Sequence, residues 1–277
     1  MTPTVLQTFI YPVKSLAGIA CDSLDLTDRG ARFDRRWMLV DSQGRFISQR
    51  EWSRLCLFRV AQIDEGFHIV GLNGDSIKIP LAIAAGTSST VTIWSDEVSA
   101  IEAENEVNLF FSREIGITCR LVYMPDDSHR FADITYAGTG KLTAFSDGYP
   151  LLLAGTASLH ELNKRIQEVG QSEIGWDRFR PNIVVSTDVP HVEDTWAEFN
   201  IGEVEAQGVK LCSRCVMTTI DQSSGILSKE PLRTLAKYRT MKGKVMFGQN
   251  IIAQQGTIRV GDNVSVKRIA FPPNAEF

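Results

Sequence analysis

Short apolar runs that double back across tight polar breaks constrain this chain more than any other feature of its sequence. Residues 67–72 and 76–79 flank Asn73-Gly74, the pair that a primed two-residue turn demands because both of its central residues take positive φ. Residues 91–94 and 97–100 flank Ser95-Asp96, residues 37–40 and 45–48 flank the loop Asp41-Ser42-Gln43-Gly44, and residues 256–260 and 264–268 flank Gly261-Asp262-Asn263. Each of the four reads as an antiparallel hairpin. Helical periodicity is rarer. Ala103, Val107, Phe110 and Phe111 keep the three-four spacing and stop at Gly116; Leu159, Leu162, Ile166 and Val169 repeat it after Thr156 or Ser158 as N-cap, with Gly170 as the stop. Pro231 at a first helical position opens a third stripe along Leu232, Leu235 and Tyr238.

Helices scattered singly among hairpins do not build a parallel sheet but barrels or sandwiches, and the expected fold is mainly β (α+β), two β-barrel-like domains with a few peripheral helices. The 277 residues, 43% of them hydrophobic, suffice for two cores. Polar and glycine residues gather over 124–141. The expected boundary falls there, between an N-terminal domain at 1–125 and a second at 126–270, and residues 271–277, with Pro272-Pro273, have linker composition.

Charge and cysteine content narrow the partners. Lys and Arg number 29 against 33 Asp and Glu, a net charge of −4, which argues against a nucleic-acid partner. No run approaches the ~18 apolar residues of a membrane span and no signal sequence opens the chain, so a cytoplasmic protein with no membrane association is expected. Five cysteines, Cys21, Cys56, Cys119, Cys212 and Cys215, are too sparse for a disulfide scaffold and suit a reducing compartment.

Only Cys212 and Cys215 stand close together, in Cys212-Ser213-Arg214-Cys215. Such a pair can be half a zinc site, a redox dithiol or one thiolate ligand beside a bystander. Zinc lacks a second pair, and His68, His129, His160 and His191 show no ligand spacing. A thioredoxin-like dithiol sits at a helix start, whereas Thr218-Thr219-Ile220 is poor helix material. Arg214 favours a thiolate at one of the two sulfurs. Elsewhere Lys14, Arg35, Arg50, Arg178 and Arg180 stand in short apolar contexts, and guanidinium forks there suit an anion such as a phosphate. Ser146-Asp147-Gly148 adds a hydroxyl, a carboxylate and a permissive backbone. Walker, dinucleotide-binding, nucleophile-elbow and His-Glu metalloprotease motifs are absent.

The motifs YPVKS (11–15), FDRRW (33–37), FSDGYPLLL (145–153), FRPNIVVS (179–186), CSRC with MTTID (212–221), EPLRTL (230–235) and FGQN (247–250) occur in that order. Together they resemble, over essentially the whole chain, proteins with a molybdenum cofactor sulfurase C-terminal (MOSC) domain behind its β-barrel partner, of the bacterial YcbX type and similar to the mitochondrial amidoxime-reducing component. The resemblance implies that Cys215 is the catalytic residue and the protein ligand of molybdenum, with Cys212 a neighbour. It implies that Lys14, Ser15, Arg35, Ser146, Arg180, Asn182 and Thr218 hold a molybdopterin cofactor. The activity it implies is two-electron reduction of a small N-hydroxylated substrate, an amidoxime, hydroxylamine or N-hydroxylated base, with Asp147 and Asp221 as candidate proton donors. Bacterial relatives often continue into a ferredoxin-like domain, and no cysteine follows Cys215, so the electron donor is expected to be a separate protein or a missing domain. The competing readings are a cofactor or persulfide carrier without turnover, and a dithiol protein using Cys212 and Cys215.

Overall fold

The computed structural model describes residues 2–271; residues 272–277, including Pro272-Pro273, lie outside the described residues. The first half of the chain forms β1 (Val5–Ile10), β2 (Ile19–Cys21), β3 (Ser23–Thr27), β4 (Gly30–Ala31), β5 (Trp37–Asp41), β6 (Arg59–Ile63), β7 (Gly66–Val70), β8 (Ser76–Pro80), β9 (Ser88–Ile93) and β10 (Asp96–Glu102), then the helix α1 (Asn105–Ile115) and β11 (Cys119–Tyr123). The second half forms α2 (Ile134–Ala137), β12 (Leu151–Gly155), α3 (Thr156–Glu168), β13 (Ile183–Val185), β14 (Trp196–Ile201), β15 (Val204–Ser213), α4 (Leu232–Leu235), β16 (Thr240–Met241), β17 (Lys244–Ala253), β18 (Gly256–Arg259) and β19 (Val264–Ile269). The fold is mostly β with few helices. The strands of the described residues sort into four sheets, and none closes on itself.

The largest sheet runs β19-β14-β15-β17-β12-β13-β1-β2, with β16 on β17. At its centre β12 buries all five residues, which is why 151–155 reads as an unbroken apolar run. Its parallel neighbour β13 is reached through α3, as a parallel pair requires a crossover. On the far side of β13 lies β1, antiparallel, and β3 pairs with β18. Strand pairing therefore crosses the 125/126 line: the first residues of the chain complete sheets built by the last.

Two of the four expected hairpins form with both arms as strands, β7–β8 and β9–β10. In the first, however, Val70 faces Ser76, so the loop is 71–75 rather than a two-residue turn. Of its residues only Gly74 has positive φ, 90°. The Glu114 side chain of α1 accepts the Asn73 N–H at 2.9 Å and holds this wider loop. Around 41–44 the return arm makes one bridge back to β5, Phe46 to Val40. The fourth expected hairpin does not exist, because β18 joins β3 while β19 joins β14. Strand β1 wedges into their turn: Val5 N–H donates to the Asp262 carbonyl (2.9 Å) and Gly261 N–H to the Val5 carbonyl (2.8 Å).

Helix α1 ends at Gly116 in the left-handed region as its stripe predicts. Helix α3 starts at Thr156, but its N-cap is Gly155. The expected caps have other partners: Thr156 Oγ1 accepts the Thr187 N–H at 3.1 Å, and the Ser158 hydroxyl donates to Glu193 at 2.6 Å. The third stripe yields one turn, α4, with Pro231 just ahead of it.

A register shift in β15 sets up the site. Against β17 the pairing slips between Gly208 and Lys210, and burial changes phase there, from Val204 and Ala206 inward to Val209 and Leu211 inward. The extra residue turns Lys210 and Cys212 away from the core. A Cβ on Gly208 would stand 2.2 Å from both the Trp196 carbonyl oxygen and Gln249 Nε2. Gly208→Ala is expected to destabilise the protein by about 1–3 kcal/mol through overpacking against backbone, checked by chemical denaturation.

Candidate functional site

A cleft of about 410 Å³ opens where the segment after β1, the segment before β5, the loop before β12, the segment before β13 and the end of β15 converge. Every residue expected from the sequence to hold metal or cofactor lines it: Lys14, Ser15, Arg35, Ser146, Arg180, Asn182, Cys215 and Thr218. The backbone is held in an unusual state here. Ser15 (φ 72°), Arg35 (48°), Trp94 (57°) and Arg180 (57°) occupy the left-handed region, which L-residues with a Cβ adopt only under surrounding constraint. These four all line the cleft.

The charge is one-sided. Lys14, Arg35, Arg50, Arg178, Arg180, Lys210 and Arg214 line the cleft against a single carboxylate, Asp147. Lys14 Nζ donates to Asp147 Oδ1 (2.5 Å) and to the Phe145 carbonyl (2.9 Å), and Arg50 pairs with the other Asp147 oxygen at 3.4 Å. Arg35 pairs with buried Asp34 at 2.6 Å, and Arg178 with Asp221 at 2.9 Å. Arg180 has no carboxylate partner among the described residues. It is 9% exposed, its Nη2 is buried without a hydrogen-bond partner, and Arg50 Nη1 is in the same state. Guanidinium groups of Arg35 and Arg180 each stand 4.2 Å from the Tyr11 ring, whose π face attracts both cations. Burial, with Arg35 nearby, pulls Arg180 down to about 10. Unsatisfied, desolvated guanidinium donors in a basic cleft form a receptor for an anion such as phosphate.

The two cysteines differ in setting. Cys212 lies on β15, and burial raises its pKa although Arg214 opposes the shift. Arg214 has structural duties as well, donating to the carbonyls of Phe247 and Phe179, each at 3.0 Å. It thereby fixes the backbone between the two sulfurs. Cys215 starts the turn Val216–Thr219, its carbonyl accepting the Thr218 N–H at 3.1 Å and the Thr218 hydroxyl at 3.0 Å. Both thiols are free and half-buried, so the cleft presents two sulfurs opposite a bank of cations.

Several expected site residues build the wall rather than offer a free group. Asn182, 1% exposed, accepts from Arg35 (3.2 Å) and the Leu152 N–H (3.1 Å) and donates to the Phe9 carbonyl (3.1 Å). It stitches three strands. The Thr218 hydroxyl is spent on Cys215. Asp221, outside the cleft lining, is held at about 2 by hydrogen bonds from Ser223 and Ser224 and by Arg178. Burial would raise Asp147, but Lys14 and Arg50 outweigh it and keep that carboxyl well below the usual range. Neither aspartate stores a proton at neutral pH.

Arg130 is absent from the sequence reading. Its guanidinium, 5% exposed, pairs with Asp96 at 2.8 Å and donates to the carbonyls of Ala144 (2.9 Å), Ser146 (2.5 Å) and Asp147 (3.2 Å). It holds the loop that carries Ser146 and Asp147. It stands in the polar stretch that reads as a domain junction, and no local pattern distinguishes it. Tyr11 lies within YPVKS, but only the fold places it beside two arginines.

Lys14, 6% exposed, is pulled from 10.5 down to about 8 by burial, with Asp147 pulling the other way. Between those values the unfolded chain binds more protons than the folded one, so this group's contribution to stability rises with pH across the window and its penalty is full below it. Lys14→Met lacks that component. The melting temperature of the wild type relative to the variant is expected to increase between about pH 8 and about pH 10.5.

Residues 2–118 match the MOSC N-terminal beta barrel domain and residues 141–265 the MOSC domain. Mitochondrial amidoxime-reducing component 1 of Mus musculus is 32% identical, the match covering 94% of this chain and 81% of that protein; the Homo sapiens protein of the same name is also 32% identical, covering 94% and 82%. The molybdenum cofactor sulfurase of Oryza sativa subsp. japonica is 32% identical over 93% of this chain and 33% of its own length, so the chain spans about a third of the plant sulfurases it matches. The two halves matched in order, and identity at this level over most of the length of both mammalian relatives, place the chain in the family that joins a MOSC N-terminal beta barrel domain to a MOSC domain.

Proposed function

We propose that this protein is a molybdenum-cofactor-dependent reductase of N-hydroxylated compounds such as amidoximes, hydroxylamines and N-hydroxylated bases, with Cys215 as the protein ligand of molybdenum. The observation that carries the reading is the buried, partnerless Nη2 of Arg180 in a cleft that also holds Cys215. The residues present fit the cofactor. Arg180 and Arg50 have donors to spare for a phosphate, Arg35 and Lys14 add charge, and a thiolate is the donor a soft metal centre takes. Similarity to proteins named for amidoxime reduction over 94% of this chain supports the same reading.

Two-electron reduction of the N–O bond, with two protons and release of the oxygen as water, is the chemistry the cofactor supplies when bound. The chain's residues do the rest. Arg214, through the Phe247 and Phe179 carbonyls, orients the segment that presents Cys215. Arg130 holds the loop carrying Ser146 and Asp147 against the cleft. Lys14 Nζ, at about 8, holds the proton closest to neutrality among the shifted groups of the lining and is the proton source the cleft offers. Electrons come from a ferredoxin-like donor outside these residues, and the protein acts in the cytoplasm on a small molecule.

The test is molybdenum and pterin analysis of protein made in a host that synthesises the cofactor, followed by benzamidoxime reduction with an artificial electron donor. About one molybdenum per chain with turnover is expected. Cofactor without turnover would favour the carrier, and neither metal nor pterin would overturn both.

A further inference from the structure

A second polar cluster lies apart from the cleft. The turn Val192–Thr195 between β13 and β14 packs against β12 and β17 and buries two adjacent carboxylates, Glu193 at 0% and Asp194 at 1% exposure. Each has one oxygen held and one left over. Glu193 Oε1 accepts from the Gly155 N–H (3.0 Å) and the Ser158 hydroxyl (2.6 Å), and Asp194 Oδ2 accepts from Arg239. Glu193 Oε2 and Asp194 Oδ1 are buried with no partner. His191 is in the same condition: its backbone N–H donates to Ser158 Oγ at 2.8 Å, yet both ring nitrogens are buried and unpaired.

One donor atom from each of His191, Glu193 and Asp194 lies within 4.8 Å of the others. Gln249, fully buried, donates from Nε2 to the Asp194 carbonyl at 3.3 Å while its Oε1 has no partner. Two carboxyl groups share one guanidinium where water is excluded. Native interiors rarely concentrate so many unpaired groups.

We infer that His191, Glu193 and Asp194 form a binding site for a divalent transition-metal ion of the zinc class, separate from the cleft. One imidazole and two carboxylates suit zinc and its neighbours, whereas calcium and magnesium prefer oxygen alone. The oxygens that face away from the ion are already hydrogen-bonded to Ser158, Gly155 and Arg239, the outer contacts that orient metal ligands. His191 sits at positive φ, 61°, and is the half-buried member of the set, so the ion enters from its side. None of these residues lines the cleft. The ion clamps the 192–195 turn onto β12 and the start of α3, a structural role that does not depend on the reductase reading. The sequence hides the site because a search for His and Cys spacing passes over carboxylates next to a lone histidine.

The experiment uses the full chain carrying Cys212→Ser and Cys215→Ser, so that cleft thiols cannot compete, stripped with chelator and titrated with Zn2+ or Co2+. About one ion per chain is expected, with a melting temperature raised by about 5 °C at a hundredfold excess over the dissociation constant. Adding His191→Phe is expected to abolish both uptake and the shift. No uptake, or uptake unchanged by His191→Phe, would overturn the inference. The unsubstituted chain gives a check that does not rely on variants folding: Co2+ at this site yields ligand-field bands without sulfur charge transfer, and the absence of such a species also overturns it.

Discussion

Cys215→Ala is expected to reduce molybdenum retention and N–O reductase activity to background, while Cys212→Ala keeps appreciable levels of both. The asymmetry comes from where each sulfur is held. Cys215 leads a turn whose backbone is fixed by its own carbonyl's bonds to Thr218 and by Arg214 anchored on two carbonyls. A ligand mounted this way is pre-organised. Cys212 projects from a strand, and burial favours its protonated form. Both thiols are half-buried without a disulfide, so neither substitution removes a cross-link, and apo melting temperatures of both variants are expected to stay close to the wild type. Metal analysis and turnover on the two variants decide the matter. Equal loss in both would indicate a two-thiolate or dithiol site.

Arg130→Met is expected to lower stability by about 3 kcal/mol and, separately, to weaken cofactor occupancy. One guanidinium serves three backbone carbonyls of residues 144–147 together with Asp96. Methionine fills similar space but leaves those carbonyls without their charged donor, each a penalty where water does not reach. The Asp96 pair adds less, since that carboxylate is 43% exposed. The melting temperature should fall by roughly 2–4 °C per kcal/mol. The released loop contains Asp147 and the Phe145 carbonyl, which hold Lys14 Nζ, so the cationic wall loosens with it. Arg130→Lys is expected to rescue little, because an ammonium cannot reproduce a fork that reaches several acceptors. Denaturation of the apo protein and the molybdenum-to-protein ratio separate the two effects.

Local pattern was enough for elements whose partners are near in sequence. The β7–β8 and β9–β10 hairpins, the apolar face of α1 with its Gly116 stop and the buried run of β12 are all legible because turn chemistry and periodicity act over a few residues. The arms around 261–263 look equally like a hairpin. They separate because β1, more than 250 positions away, takes the hydrogen bonds of their turn. The caps of α3 fail for a related reason, as Ser158 and Thr156 serve Glu193 and Thr187 instead.

The ordered motifs of the chain, by themselves, determined a mostly β protein, its family and the residue types of an anion-binding cleft beside a cysteine. Only the tertiary structure decided that Arg180 is the cation left without a partner, that Asn182 and Thr218 serve the wall, that Arg130 holds the loop, and that His191 meets two buried carboxylates. The physical reason is that residue type and spacing specify what a side chain can do, whereas its partners, its burial and therefore its charge state depend on groups that long-range strand pairing brings beside it.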